Sequence, residues 1–433
     1  MMSAITARGA THDERIDRTF PAAVLYLLVF QNLFNAVSPY ITLAINVAVA
    51  LSLLIRHRFR HVSPEPIVII AVYVLLAWLM LVTAYRGDAE QQVVLKYVRV
   101  TVTVSLFALI FGSCLIPSSS MVKAVNFALA FHVLLVILQI AVPEITNSTA
   151  PIFGFERETT ILEEYTLRKL GASSSYDTAS LLSVAAFLFF YFQLAQGKGA
   201  IYLLATAIGF VATLMSSRAG IAVSLLIVLA IGLQVLMRAS RLWKFVASAG
   251  IAGFLVFAYL SIYPLLLHSL GVSELQSDEG GFFFDATDYG TTGTLEALMD
   301  DHLLPLQQPL DDLFFGYAVD PNTIGKHTDI GYVKLIYHVG IVGTAIVLFL
   351  HLYMLAATRR LTRTIVGDPD RALIGRFLFV LIAIAIAFNY KSLELHSRGI
   401  GDFIYLLFLY LASWRGSQGG HSNPSRSGAK CRA

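Results

Sequence analysis

Cysteine and charge are what this sequence has least of. Cys114 and Cys431 are the two cysteines among 433 residues. One lies inside an apolar run and the other in the tail, so neither a disulfide framework nor a metal-ligand spacing is available. Charged residues make up 14% of the chain against 57% hydrophobic, whereas a soluble domain carries about 25% because its surface faces water. That shortage excludes an ordinary soluble protein and leaves lipid as the surrounding medium. The formal net charge of +3 is too small to indicate a nucleic-acid partner, so placement of the charges matters more than their sum. No glycine-rich nucleotide loop is present, which argues against a cytoplasmic nucleotide substrate, and no cofactor is expected. The outer-facing loops hold no carboxylate and histidine cluster of the kind a catalytic divalent ion needs, so no metal is expected either. Residues 1–19 mix acids with bases and no small-residue cleavage site follows, so the first apolar run is expected to be retained as a helix.

What is present is a succession of apolar runs of spanning or near-spanning length. They fall at 20–36, 38–55, 66–84, 94–115, 121–142, 178–195, 199–216, 219–237, 243–264, 332–357, 373–389 and 400–414. Several are bounded by prolines such as Pro39, Pro66, Pro117 and Pro143, which suit helix edges. The expected fold is an all-α integral membrane protein of about twelve transmembrane helices, a single polytopic domain over residues 1–433. No internal repeat is evident.

Orientation follows from lysine and arginine. Arg56, Arg58 and Arg60, then Arg238, Arg241 and Lys244, then Arg359, Arg360, Arg363, Arg371 and Arg376, and finally the basic tail at 415–433, fall in alternate connections. The positive-inside rule therefore places both termini in the cytoplasm, in a bacterial inner membrane. Two extracytoplasmic segments are long, 143–177 and 265–331, the second lying between helices nine and ten and carrying twelve acids and one base, Lys326. Loops of that length are functional or disordered. Apolar recurrence over 295–315 predicts an amphipathic helix lying on the membrane, while 272–294 also reads as an acidic solvated loop.

The informative cations are those on the outer side, against the rule. Arg218 sits in Ser216-Ser217-Arg218-Ala219-Gly220, a minimal turn of small residues through which a ligand could approach closely; the plain alternative is an arginine snorkelling to the interface. Arg168 and Lys169 precede Gly171 and Tyr176-Asp177, with Lys169 the more ordinary solvated charge. Lys391 and Arg398 occupy the connection before the last helix, where interfacial anchoring competes with function. Arg99, two turns inside its helix, is either buried against Glu90 or Asp88 or part of the same site. Outward cations at head-group depth suit an anionic lipid-linked ligand, a diphosphate above all, because guanidinium forks match phosphate oxygens. Lys326-His327-Thr328-Asp329 precedes the tenth helix; Thr328 or Asp329 could cap it, and His327 or Asp329 could serve as a general base.

These features together resemble the Wzy-type O-antigen and exopolysaccharide polymerases, related to the O-antigen ligases. The residues that carry the resemblance are Ser217 to Gly220 after the seventh helix, and Phe315-Gly316-Tyr317 with Asp329-Ile330-Gly331-Tyr332 at the end of the large loop. Gly340 and Gly343, and the Lys391 to Gly399 turn, complete the set. The resemblance implies a glycosyltransferase-C-like membrane fold and an inverting, metal-independent glycosyl transfer at the periplasmic face. It implies undecaprenyl-diphosphate-linked oligosaccharide as donor and acceptor, with chain-length regulator and export proteins as partners beside membrane lipid. Arg218 is the implied diphosphate ligand, assisted by Arg168, Arg398, Lys391 or Arg99. Asp329 or His327 would take the acceptor proton, and Tyr176, Tyr317 and Tyr332 would pack against sugar faces. Counting back from Gly340, the ligases' histidine falls on Asp329, a departure that favours polymerase over ligase. Ligase transfer to a lipid acceptor and a polysaccharide flippase are the competing expectations.

Overall fold

The computed structural model describes residues 65–87, 89–113, 116–142, 171–172, 176–216, 218–238, 309–324, 330–389 and 400–419, with 44, 47–48, 144–145 and 148–149. Among these there is no strand. The helices are α1 Pro66–Arg86, α2 Gln91–Ser113, α3 Ser118–Ala141, α4 Tyr176–Ala195, α5 Ile201–Leu214, α6 Arg218–Arg238, α7 Leu310–Phe315, α8 Gly331–Thr364, α9 Pro369–Phe388 and α10 Ile400–Gly419. Six of them, α1, α2, α3, α4, α8 and α9, are long and apolar enough to cross a membrane, so the chain is a multi-pass membrane protein. The runs at 20–36, 38–55 and 243–264 lie outside the described residues, apart from isolated positions.

Helix ends follow local chemistry. Pro66 and Pro369 occupy first-turn positions of α1 and α9, where a missing N–H costs nothing. Asp368 caps α9 by accepting from the Arg371 amide at 2.9 Å. Gly87 ends α1 in the left-handed region. The tenth expected helix starts at Gly331 with Ile330 in the capping position and no side-chain cap, so the role anticipated for Thr328 or Asp329 falls one residue later, on a residue that cannot perform it. Of the amphipathic helix expected over 295–315, the described part is Leu310–Phe315.

The chain divides into two compact units, 1–217 with 305–433, and 218–304. In the first, α4 and α10 form the centre, with residues 178–190 and 400–412 buried throughout. Around them pack α2 and α9, which touch α10, and α3 and α5, which touch α4. Gly209 lets α5 approach α4 closely, since a Cβ there would lie 3.1 Å from the Phe187 Cα. Helices α1, α3 and α5 turn Ile70, Leu81, Leu134 and Leu203 outward, the surface a lipid environment requires. In the second unit the described element is α6, apolar over Val223–Gly232.

Contacts between helix ends join segments expected on the same side. Arg86 and Glu90 meet the 312–323 segment, and Tyr332 donates its amide to Asn389 O at 3.2 Å, all expected outside. Gln196 and Lys198 meet Pro369 and Asp370, and Glu65 accepts from the Tyr353 hydroxyl at 2.6 Å, all expected inside.

Candidate functional site

Three gatherings of polar groups stand out among the described residues of the first unit. The first is built on a broken helix. Gly340 lies inside α8 at φ 66° and ψ −176°, a conformation that glycine alone adopts without strain. The break frees the carbonyls of Tyr337, His338 and Val339 from the helical ladder, and each is satisfied from elsewhere. Tyr317 N–H donates to Tyr337 O at 2.7 Å and Ala318 N–H to His338 O at 3.2 Å. The Trp78 indole of α1 donates to Val339 O at 2.8 Å. Residues 314–318 thus form a strap laid on the break, and a Cβ at Gly316 or Gly340 would run into the other segment's backbone.

Arg86 clamps the strap. Its guanidinium meets Asp312 at 2.5 Å, donates to Gly316 O at 3.1 Å, and lies over the rings of Tyr85 and Tyr317 at 5.4 and 5.1 Å. Tyr317 stacks on Tyr337 with centroids 5.6 Å apart and donates its hydroxyl to Asp312 at 2.7 Å. Burial first, then the Asp312 carboxylate, raises the Tyr317 phenol above its ordinary pKa. Glu90 pins the next residues, accepting from Asp320 N–H at 2.8 Å. Beneath them His338 is 1% exposed; both ring nitrogens lack a hydrogen-bond partner, and Asp320 lies 3.9 Å from Nε2.

The second place is a buried hydrogen-bonded run through α3, α4 and the end of α5. Ala172 N–H donates to His132 Nδ1 at 3.2 Å, so the ring proton sits on Nε2, facing Ala179 O at 3.2 Å and Ser183 Oγ at 3.0 Å. Ser183 Oγ continues to Ser216 Oγ at 3.2 Å. One helical turn pair along α3, Gln139 accepts from Gly171 N–H at 2.8 Å and donates to Gly171 O at 3.4 Å. Gly171 has φ 54°, and a Cβ there would lie 2.6 Å from the His132 ring. The chain is therefore held at 171–172 and at Ser216.

The third is the ion pair of Arg99 in α2 with Asp402 in α10, both nearly fully buried. Arg99 thus pairs with Asp402, while Glu90 bonds the strap; Asp88, the other expected partner, lies outside the described residues.

Of the other expected site residues, Tyr332 is half-buried and donates its hydroxyl to Ile386 O at 2.6 Å, fastening α8 to α9. Arg218 and Tyr176 begin α6 and α4, and their side chains lie outside the described atoms. Asp329, His327, Arg168, Arg398 and Lys391 lie outside the described residues. The structure brings Tyr317 into the clamp and Tyr332 onto the α8–α9 junction, in separate contacts. His132, Ser183, Gln139, His338, Asp312, Asp320 and Asp402 were not singled out by sequence. A signal existed for some: His132 and Gln139 are seven apart in an apolar run, on one helix face, and polar groups in spanning helices face protein. No protein-family model matches the chain, and no curated protein matches it.

Proposed function

We propose that the protein is a polysaccharide polymerase that joins lipid-diphosphate-linked repeat units at the outer membrane–water boundary of a bacterial inner membrane, with about twelve spanning helices. The observation that supports this reading is the buried run from Ala172 through His132 and Ser183 to Ser216. Arg168 precedes Ala172 by four residues and Arg218 follows Ser216 by two, chain lengths of at most about 14 and 7 Å. A leaving diphosphate, on which negative charge builds as the glycosidic bond breaks, calls for cations such as Arg218 and Arg168. In this reading Arg218 is the principal diphosphate ligand, with Arg168, and Arg398 or Lys391 from the last connection, sharing the charge. Asp329 or His327 takes the proton of the attacking sugar hydroxyl. Arg99, occupied by Asp402, belongs to the core. Chain-length regulator and export proteins are the expected partners.

Deleting the gene and characterising the lipid-linked glycan tests this. Accumulation of single units supports a polymerase, and long lipid-linked chains would mean a ligase. Polymer formed per amount of inserted protein then isolates Arg218. Arg218→Ala is expected to lower it about a hundredfold, some 3 kcal/mol of transition-state stabilisation, and Arg218→Lys to recover part. Equal activity of the alanine variant removes Arg218 from the site.

Two observations favour a second reading, an export transporter: the broken helix at Gly340 and the Arg99–Asp402 pair within the helices are features of transporters. Glycan units trapped in the cytoplasm of the deletion strain would favour it over the polymerase.

A further inference from the structure

The turn joining α8 to α9 carries arginines that neither the fold nor the proposed reaction uses. After the break at Gly340, helix α8 runs on from Ile341 to Thr364, about 36 Å at the α-helical rise, against a hydrocarbon core about 30 Å thick. Its last turns therefore pass beyond the lipid-immersed part. Along one face, Phe349 and Leu352 are 61% and 54% exposed, the side α8 turns to lipid. At helical spacing the same face continues through exposed Ala356 into Arg359 and Arg363, with Arg360 beside them, all exposed. Arg376 of α9 is exposed as well. It adjoins Gly375, whose Cβ position is filled by the Thr362 side chain, so Arg363 and Arg376 flank a close contact between the two helices.

The acids of this turn are already engaged. Asp368 accepts from the Arg371 amide and faces its guanidinium at 3.8 Å, and Asp370 pairs with Lys198. Among the described residues no ion pair involves Arg359, Arg360, Arg363 or Arg376. At the tip, Val366 is 85% exposed beside Gly367 at φ 81°. An unpaired cationic cluster around a bare apolar tip, at the end of a lipid-facing stripe, matches a membrane–water interface. An aqueous protein partner would leave the adjoining Phe349–Leu352 stripe unexplained.

We propose that the α8–α9 turn binds anionic phospholipid head groups, with Arg359, Arg360, Arg363 and Arg376 on the phosphates. The guanidinium forks supply bidentate contacts to phosphate oxygens. The test uses the full-length protein in mixed micelles containing equal phosphatidylglycerol and phosphatidylcholine, with retained lipid measured by native mass spectrometry. Phosphatidylglycerol is expected to be retained preferentially, less so as salt rises. Each arginine replaced by glutamine should lower that preference about fivefold. Combined Arg359→Gln, Arg360→Gln and Arg363→Gln should abolish it while the melting temperature in detergent stays unchanged. If the triple variant does not fold, the single Arg360→Gln variant and the salt dependence of the wild type give the same reading. Equal retention of both lipids by the wild type, or an undiminished preference in the variants, overturns the proposal. So does a polyglutamate peptide that binds the turn while neither lipid is preferred, which would make the occupant an acidic protein segment.

Discussion

The two ends of the described bundle treat positive charge in opposite ways. At the end expected outside, Arg86 is enclosed by Asp312, two tyrosines and a carbonyl, and Arg99 lies buried against Asp402. At the other end four arginines stand exposed with no described ion pair; of the pairs nearby, Lys198–Asp370 is partly exposed, and the buried Arg371 faces Asp368. The contrast parallels the sidedness expected from the positive-inside rule. A cation on the permitted side needs only water and head groups, whereas one on the other side is kept when a partner is built around it. The energetic weights differ accordingly: removing one member of a buried pair strands a charge in low dielectric, while an exposed pair contributes little.

The comparison breaks first at Arg99–Asp402. Asp402→Ala should destabilise the protein by about 3–5 kcal/mol by leaving the guanidinium uncompensated, and the double change Arg99→Met with Asp402→Leu should regain most of that. Thermal unfolding in detergent decides it; a double variant no better than the single would show that the pair is not the reason for the loss. Gly340→Ala comes next. Its Cβ would meet the strap backbone at a positive φ, so a loss of about 1–3 kcal/mol is expected, together with faster proteolysis near residues 314–318. Trp78→Phe keeps the stacking on Phe315 at 5.6 Å but leaves Val339 O without its indole donor. A cost of about 1–3 kcal/mol, toward the lower end where a water reaches the carbonyl, is expected from the same unfolding measurement. At the end expected inside, Lys198→Ala should change stability by roughly 0.5 kcal/mol or less. A loss as large as that at Asp402 would erase the distinction between the two ends.

The spanning helices were legible because lipid dictates their length and composition. The runs at 66–84, 121–142, 178–195 and 373–389 reappear as α1, α3, α4 and α9 within a few residues. Helix α8 outruns its apolar stretch, 332–357, because arginine and threonine continue the helix as well as leucine does once it leaves the hydrocarbon. The polar partnerships were not legible. Arg86 meets Gly316 across 230 positions and Arg99 meets Asp402 across 303, separations at which local periodicity carries no information. For Arg99, singled out in the sequence, the partner is a carboxylate, Asp402, that composition could not select. Gly316 and Gly340 stood out as residues, but that each needs the other to lack a Cβ is a fact of tertiary contact.

The break at Gly340 has a consequence for how the protein enters its membrane. A helix carrying three unpaired carbonyls into hydrocarbon would be penalised by several kcal/mol for each, yet glycine also adopts the regular helical conformation at modest cost. Before the strap docks, α8 can therefore cross the bilayer as an unbroken helix, with residues 337–339 bonded along the chain. The kink then forms in exchange for the amides of Tyr317 and Ala318 and the indole of Trp78. Leucine at position 340 would permit the first step and forbid the second. An insertion assay on this segment should find Gly340→Leu crossing at least as well as wild type, while the assembled variant loses its strap. Poorer insertion of the leucine segment would mean that the kink is present from the start.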